Sequence, residues 1–545
     1  MTKDWMTLLL NATLFAPLVG IPLILLFHRK WAKYLAFGFS LLPFIVGIVL
    51  HSVYRFSPDP SALYSKDFVF FSETLWFTLD NIDIKFMLGV DGISAYLILL
   101  TALIFPTLVV YSWGKADKQE KMYYLMLLVL ETGIIGFFLS LDLLLLYIFF
   151  EMVLIPTCFF IGIWGGAQRE AASIKFFLYT LVGSLVMLIG IIYLGLNVSD
   201  GYLTTDYFVI RDALASGTNP AFSLEAQRWL FAAFAIGFAI KVPLFPFHTW
   251  QPFTYSESST TGSVILAALL SKMGAYGFIR FCLPFFPEVS LEYAPFIMTL
   301  AVISIVYGGY LAIVQTNIKK LIAYASFSHL GFIILGIFSF TQEAMSGAVI
   351  SMVGHGIATA GLFLLTGMLY ERHKTKDIRG FQGIAKIAPK FTVLFMITVM
   401  TALGLPGLSG FVGEFMILIG AYSSSEVSSV FAILAALGIV AASIYLLNTF
   451  RVMMFGETNE ELKNKIFDLS GREVAVVLPL VTLMIVMGLY ASPFLNQINK
   501  GSDRVLKIVE SRVEGKSFTD NSIDKEDEKV KILKEEDMDV FQSTK

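Results

Sequence analysis

Long uninterrupted apolar runs are the feature that most limits how this chain can fold. Runs of about 20 residues, each long enough to cross a hydrocarbon core of about 30 Å as a helix, follow one another along most of the 545 residues. The composition agrees, since 56% of the residues are hydrophobic and 15% are charged, against about 45–50% and about 25% in soluble domains. The sequence therefore predicts an integral membrane protein that crosses the bilayer many times.

Fourteen apolar segments, with ends uncertain by about 2–4 residues, are long enough to span the bilayer. These predicted spans lie near residues 6–27, 32–52, 88–113, 121–140, 141–163, 174–197, 227–250, 262–286, 294–316, 320–340, 345–370, 390–423, 427–455 and 473–495. They lack period-two alternation, and backbone groups in lipid must be satisfied internally, so helices are favoured over a barrel. The first run lacks a signal-peptide cleavage site and is predicted to be retained. We predict an all-α integral membrane fold of about fourteen transmembrane helices.

Basic residues collect in alternate loops between the predicted spans. They are His28, Arg29, Lys30, Lys33, Lys115, Lys118, Lys121, Arg169, Lys175, Lys319, Lys320, Arg372, Lys374, Lys376 and Arg379. The intervening loops, such as 286–293 and 341–344, are short and acidic or uncharged. The positive-inside rule places the basic loops in the cytoplasm and both termini on the outer, periplasmic side.

Two spans are interrupted in the same manner, each beside an ionisable residue. Span 7 carries Pro243 and Pro246 shortly after Lys241, and span 12 carries Pro406 shortly before Glu414. Proline removes an intrahelical hydrogen bond and clashes with the preceding turn, so both helices should be broken or kinked. Prolines alone are tolerated in membrane helices, but spans five apart run in opposite directions, which is typical of an inverted-topology repeat around a transport site.

This pattern predicts how the chain is organised. Residues 1–120 would hold spans 1–3 with an outside loop, 121–286 the first five-helix repeat and 294–455 the second, inverted repeat. Residues 456–500 would hold a loop and span 14. The charged segment 501–545, which is poor in aromatic residues, is predicted to be an extended or marginally helical polar tail.

Six ionisable residues lie near the middle of their spans or beside a break. They are Glu151, Lys241, Lys272, His329, His355 and Glu414. At a rise of about 1.5 Å per residue they share one depth, and charged groups at mid-membrane are costly unless they pair or line water. We therefore predict a lateral polar row that carries protons.

The chemistry suits a proton pathway because each group changes the proton affinity of its neighbour. Moving Glu151 relative to Lys241 would load or unload a proton, since a nearby carboxylate favours a charged lysine that burial disfavours. Histidine suits the relay beyond Lys272, and Glu414 would receive the proton last and release it outward.

Structural interpretations stand beside this one. A lone buried Lys or Glu can be half of a salt bridge, and a lone His can simply bond between helices. For Glu131, in span 4, the structural role is favoured because no partner is evident. Three residues near helix ends, where long charged side chains reach water easily, are left out of the pathway. These are Asp142, Arg280 and Arg451.

Several function classes are excluded. The near-neutral net charge of −3 and the dispersed basic residues do not support nucleic-acid binding. Two cysteines, Cys158 and Cys282, can form neither a disulfide framework nor an iron–sulfur site, and nucleotide-binding glycine motifs are absent. We expect no cofactor and no metal on this chain.

Motifs between about residues 85 and 495 resemble those of the antiporter-like subunits of respiratory complex I, most closely the subunit M type, counterpart of mitochondrial subunit 4. They are MLGVDGIS at 87–94, LYIFFEMVLIPTCFFIGIWGG at 146–166, FAIKVPLFPFHTW at 238–250, TGSVILAALLSKMGAYGFIRF at 261–281, QTNIKKLIAYASFSHLGF at 315–332 and GLPGLSGFVGEFMILIG at 404–420. Relatives generally carry lysine where this chain has Glu414, and glutamate there marks the subunit M type.

The resemblance implies fourteen helices in two inverted bundles, in which Glu151, Lys241, Lys272 and Glu414 match channel residues and the two histidines match linking residues. It implies a proton-translocating subunit of NADH:quinone oxidoreductase in a bacterial inner membrane, with no redox catalysis on this chain. NADH, FMN, iron–sulfur clusters and quinone would belong to partner subunits. The expected partners are other complex I membrane subunits, especially neighbouring antiporter-like ones, and the lipid bilayer.

One stretch departs from the family pattern. After His248-Thr249-Trp250 the family usually continues L-P-D-A-H-x-x-A-P, whereas here Phe253 and Tyr255 stand in place of the Asp and His. This puts in doubt a cytoplasmic uptake role for those positions, although Glu257 and His248 remain available.

Three hypotheses follow. The first is the proton-translocating complex I subunit, driven by redox chemistry on other chains. The second is a subunit of a multichain sodium/proton antiporter, which Glu414 argues against. The third is a non-conducting scaffold of a redox or hydrogenase-type membrane complex.

Overall fold

The structure, a computed structural model, describes residues 3–56, 68–79, 82–115, 119–199, 202–217, 219–458 and 460–513. Within these ranges twelve helices are long and apolar enough to cross a membrane. Predicted spans 7 and 12 account for none of the twelve, and each is divided into separate helices. Lys118 and residues 514–545 of the predicted tail lie outside the described residues.

The long helices overlap most of the predicted spans. They are α1 Lys3–Leu26, α2 Arg29–Phe56, α3 Ser94–Tyr111, α4 Glu120–Leu139, α5 Leu143–Met152, α6 Leu154–Gly162, α7 Arg169–Asn197, α8 Tyr207–Ser216, α9 Leu224–Lys241, α10 Gln251–Glu257, α11 Thr260–Ile265, α12 Ser271–Gly277, α13 Leu283–Phe285, α14 Pro287–Ile313, α15 Ile318–Ile337, α16 Gln342–His373, α17 Ile384–Ile387, α18 Pro389–Ala402, α19 Ser409–Ser423, α20 Val430–Met454, α21 Glu460–Lys465, α22 Gly471–Leu489 and α23 Ser492–Val513. Segments α5 and α6 form one span, and α11, α12 and α13 form another through π-helical turns at Leu266–Leu270 and Phe278–Cys282.

The first break separates α9 from α10. Neither Pro243 nor Pro246 has an N–H to donate, so carbonyls of the last turn of α9 need other partners. The Trp250 indole donates to the Ile240 carbonyl at 3.0 Å, and the Phe245 amide donates to the Ser304 hydroxyl at 3.1 Å. The predicted interruption of span 7 is confirmed.

The second break separates α18 from α19. Gly404 and Gly407 have φ angles of +79° and +91°, which only glycine adopts without strain. The chain therefore leaves the helix before Pro406 and begins again at Ser409. The predicted interruption of span 12 is also confirmed.

A small sheet adds to the helical fold. Strand β1, Phe70–Leu79, pairs antiparallel with β2, Ile82–Val90, and β3, Leu203–Thr204, pairs parallel with β2. These residues lie partly in the predicted outside loop, and span 3 begins at Ser94, not at residue 88. Met87 and Leu88 are apolar residues of a buried strand. Hydropathy does not distinguish such a strand from a helix, so the predicted start of span 3 came too early.

The last helix also extends beyond the prediction. Residues 501–513, assigned to the polar tail from their charge, form the second half of α23. Its buried face, which includes Ile498, Val505 and Val509, packs on the body of the protein. The helix is amphipathic, with charged residues on one face and apolar residues on the other. The charge of the segment therefore led to the prediction of a polar tail.

The two spans that hold Lys272 and His355 lie at the centre of the fold. The Thr260–Phe285 span is 100% buried over its apolar window and the Gln342–His373 helix is 94% buried. Helix α15 packs between α14 and α16, and α19 packs along α16. This arrangement brings side chains from four separate spans into contact.

Candidate functional site

Lys272 begins the best-connected part of the predicted row. Its side chain is fully buried, and its Nζ donates to the Ala267 carbonyl at 2.6 Å and to the Ser271 hydroxyl at 3.3 Å. The π-helical turn just before it shifts the local hydrogen-bond pattern, as such turns often do at functional sites. The same Nζ lies 2.7 Å from His355 Nδ1 on α16. The sequence analysis placed both residues in one row but did not predict this contact, which joins residues 83 positions apart in the chain.

Two histidines continue the row from α16 to α15. The rings of His355 and His329 have centroids 5.7 Å apart, and His329 Nδ1 lies 2.6 Å from Glu414 Oε1 on α19. The Glu414 carboxylate faces the second break, since a Cβ on Gly404 would lie 3.1 Å from Glu414 Oε2. Four of the six predicted residues therefore form one chain of contacts.

A cavity of about 30 Å³ lies beside this chain of contacts. His329, His355 and Glu414 line it together with hydroxyl-bearing side chains such as Ser326 and Ser351. The hydroxyls of these two serines are buried and have no hydrogen-bond partner among the described residues. About 10–15 Å³ of such space is enough for one water molecule, provided polar partners surround it. The site therefore has both the room and the partners for water.

Lys241 and Glu151 stand apart from the other four residues. Lys241 ends α9, is 2% exposed, and places its Nζ 4.5 Å from the centroid of the Phe150 ring. Glu151 directly follows Phe150 in the chain, and its carboxylate acts electrostatically on Lys241. Among the described residues, no hydrogen bond or ion pair reaches Lys241 Nζ, so the row has an interval between Lys241 and Lys272.

Glu131, for which a structural role was favoured, is fully buried in α4. Neither of its carboxyl oxygens has a hydrogen-bond partner among the described residues. Among the described residues no hydrogen bond joins it to the row, so it provides a natural comparison for the carboxylates within the row.

Two residues that the sequence placed at helix ends are in fact buried and bonded. Arg280 pairs with Asp91 of the MLGVDGIS motif, and their side chains are only 5% and 6% exposed. Asp142 caps α5 by accepting from the Leu144 and Leu145 amides. The expectation that these groups reach water easily at helix ends is corrected, because each is buried and bonded to neighbouring residues.

Tyr445 is the site residue that sequence reasoning missed. Its side chain on α20 is buried, and its hydroxyl lies 3.5 Å from His329 Nε2, opposite the nitrogen that faces Glu414. A tyrosine within an apolar span is most often a packing residue, so nothing in its sequence context marked it.

The two groups left available near the altered stretch, Glu257 and His248, both have close neighbours on the basic-loop face. Glu257 lies 3.1 Å from Lys376 Nζ and accepts from the Gln168 amide at 3.0 Å. Burial alone would raise the pKa of Glu257, but these two donors outweigh it and lower that pKa. His248 is buried in a stack with Phe327, at 4.5 Å between ring centroids.

Comparisons with known proteins give a consistent result. The family model described as "NADH:quinone oxidoreductase/Mrp antiporter, TM" matches residues 140–440. NADH-quinone oxidoreductase subunit M of Rickettsia prowazekii (strain Madrid E) is 39% identical over 505 residues, which cover 91% of this chain and 98% of the relative. NADH-ubiquinone oxidoreductase chain 4 of Chondrus crispus is 37% identical and covers 91% and 97%.

A solved structure agrees with these relatives. A chain of respiratory complex I from Thermus thermophilus with bound NADH superposes with a TM-score of 0.79 at 32% identity, over 92% of this chain and 99% of that chain. These similarities support the complex I hypothesis over the sodium/proton antiporter and hydrogenase-type alternatives. The chain therefore belongs to the family of antiporter-like membrane subunits of NADH:quinone oxidoreductase, respiratory complex I, that comprises subunit M and chain 4.

Proposed function

We propose that Glu151, Lys241, Lys272, His329, His355 and Glu414 form the pathway by which this subunit moves protons. Protons would pass from Lys272 to His355, on to His329, and then to Glu414 for release. The Glu151–Lys241 pair would control loading at the other end, since the carboxylate sets how strongly the buried lysine holds a proton.

The observation that carries the proposal is the chain of contacts from Lys272 to Glu414. Hydrogen-bond distances of 2.7 Å and 2.6 Å join its two ends to the histidines, and the cavity beside it has room for water. Proton transfer needs donors and acceptors within about 2.6–3.2 Å or one bridging water. Only the step between the two histidine rings exceeds that range, and His355 Nε2, which has no hydrogen-bond partner among the described residues, is free to bind a bridging water.

The placement in the membrane follows the basic loops. The face that carries Lys319, Lys376 and Arg169 would be cytoplasmic, and both termini would lie outside a bacterial inner membrane. The two broken spans support a pair of inverted repeats, spans 4–8 and 9–13. Within the complex, neighbouring antiporter-like subunits would contact this chain, while NADH, FMN, iron–sulfur clusters and quinone belong to other subunits.

Proton pumping by the assembled complex tests the proposal. Inverted membrane vesicles that contain Glu414→Gln or Lys272→Met should oxidise NADH but acidify less per NADH oxidised than vesicles with the unaltered protein. Glu131→Gln is the matched control, because it neutralises a buried carboxyl that lies outside the row. Normal acidification by both row variants in a fully assembled complex would overturn the proposal.

A further inference from the structure

A polar chamber of about 230 Å³ opens at the basic-loop end of the first bundle. Its wall includes Lys115, Lys319, Glu371 and Lys376, together with Ser258 at the start of the Lys272-bearing span. Lys115 Nζ lies 2.5 Å from Glu371, and the Tyr111 hydroxyl donates to the same carboxylate at 2.6 Å. The chamber is thus a charged cleft that leads into the protein beside span 8.

Two polar groups in the chamber imply that water fills it. The Ser258 hydroxyl is buried and has no hydrogen-bond partner among the described residues. Lys319 is 3% exposed, and its Nζ donates only to the Ser258 carbonyl, at 3.0 Å, among the hydrogen bonds of the described residues. A buried lysine and a buried hydroxyl need further partners, and a cleft of this size can supply them as water.

A line of polar groups runs from the chamber toward Lys272. The Ser263 hydroxyl contacts the carbonyls of Ser259, at the chamber wall, and Tyr255, at 3.0 and 2.7 Å. The fully buried Tyr255 side chain then reaches inward, and its hydroxyl donates to the Leu266 carbonyl at 2.9 Å. The Gln251 and Ser271 side chains also lie near this hydroxyl.

The last part of this line of polar groups lies at the π-helical turn before Lys272. The Ala267 carbonyl accepts from both Ser271 and Lys272, at 3.0 and 2.6 Å, and the Ser271 hydroxyl lies 3.3 Å from Lys272 Nζ. Nearby, the buried Gln251 Oε1 has no partner among the described residues, so a further acceptor is open beside Tyr255 on the same helix.

We propose that protons reach Lys272 from the basic-loop face through this chamber and along the Tyr255 hydroxyl. The inference rests on the proposed function and assigns its uptake route. Tyr255 stands where the family pattern has histidine, so this chain uses a hydroxyl in place of an ionisable ring. A proton donated by chamber water to one hydroxyl is matched by the proton that this hydroxyl passes on, and the net result is protonation of the Lys272 amine.

Removing the hydroxyl alone tests the route. In inverted vesicles with assembled complex, Tyr255→Phe should lower acidification per NADH to the level of Lys272→Met. Tyr96→Phe is the matched control, because the Tyr96 hydroxyl also donates to a backbone carbonyl, that of Pro493 at 3.2 Å, at the other end of the bundle. Tyr255→His should restore acidification and add a pH dependence near about 6.5, the usual pKa of histidine, which a packing role would not produce.

The outcomes separate this inference from the proposed function. Acidification lost in Lys272→Met but unchanged in Tyr255→Phe overturns the uptake route and leaves the pathway intact. Acidification unchanged in both overturns the pathway itself.

Thiol labelling decides the matter if Tyr255→Phe fails to assemble. Ser258→Cys should react with a small, membrane-impermeant methanethiosulfonate from the basic-loop face and lose acidification once labelled. Ser290→Cys, at a fully buried serine outside the chamber, should stay unlabelled, and the unaltered chain gives the background from Cys158 and Cys282. An unreactive Ser258→Cys would mean a closed, dry chamber and would overturn the proposal.

Discussion

Replacing Asp91 by asparagine should weaken the fold more than its position just before a helix suggests. Asp91 accepts from the Ile93 and Ser94 amides through Oδ1 and pairs with Arg280 through Oδ2. Asparagine can keep the two amide bonds, so the substitution removes mainly the charge. The Arg280 guanidinium would then be left buried without its counter-ion.

The magnitude follows from what Arg280 keeps. Removing one partner of a buried ion pair costs about 3–5 kcal/mol. Arg280 retains a bond to the Tyr276 hydroxyl at 3.1 Å and lies 5.0 Å from the Phe68 ring centroid, and a cation–π contact offsets about 1–2 kcal/mol. We expect a net loss of about 1–4 kcal/mol in the free energy of unfolding.

Unfolding of the subunit in detergent, followed by fluorescence of its 7 tryptophans, measures this loss. A double-mutant cycle with Arg280→Met should give a coupling energy of about 1–3 kcal/mol. If Asp91→Asn lies within about 0.5 kcal/mol of the unaltered protein, the range of ordinary surface substitutions, the argument from buried charge is refuted.

The pH dependence provides a second check with a definite sign. Burial opposes ionisation of Asp91, but the Arg280 guanidinium outweighs it and lowers the pKa of Asp91. The stabilisation is therefore present above the unfolded pKa of about 3.9 and disappears as the pH falls through the lower folded value. The difference between the unaltered protein and Asp91→Asn should narrow only in strong acid.

Three further predictions concern other parts of the structure. Glu151→Gln should lower acidification per NADH without loss of assembly, because it removes the charge that acts on Lys241; unchanged acidification would exclude it from the pathway. Gly92→Ala should loosen α23 and increase its proteolysis, since the new Cβ would lie 1.9 Å from the Gln497 carbonyl oxygen; equal cleavage rates would show that the contact adapts. Burial raises the pKa of Asp142 to about 6, so its ionisation between about pH 4 and 6 disfavours the fold. Asp142→Asn should therefore gain up to about 3 kcal/mol relative to the unaltered protein on going from pH 4 to pH 8, measured by unfolding at both values, and a parallel pH profile would contradict this.

Helices and breaks could be predicted because their causes are local. Apolar length selects a span, and proline removes a donor wherever it occurs, so the interruptions after Lys241 and before Glu414 were visible in the sequence. The prediction that the six ionisable residues share one level rests on helical rise alone. The contacts of Lys272 with His355 and of His329 with Glu414 were consistent with that level.

The remaining features depend on partners far away in the chain. Asp91 and Arg280 are 189 residues apart, and only the folded structure reveals that each neutralises the other. Met87 and Leu88 read as the start of a helix because hydropathy cannot distinguish a buried strand from a span. Tyr445 lies in the site only because α20 packs beside α15.

The interval between Lys241 and Lys272 affects how easily protons can leak back across the membrane. Helices α9 and α12 touch there, and a Cβ on Gly274 would lie 2.6 Å from the Phe238 carbonyl oxygen, so the gap is closed by backbone. A respiring membrane continually drives protons back toward the cell interior, and an unbroken relay would let them return and dissipate the gradient. In the proposed pathway this closed junction stops protons held by the Glu151–Lys241 pair from exchanging with Lys272 at rest, so any return through that pair requires the two helices to move apart.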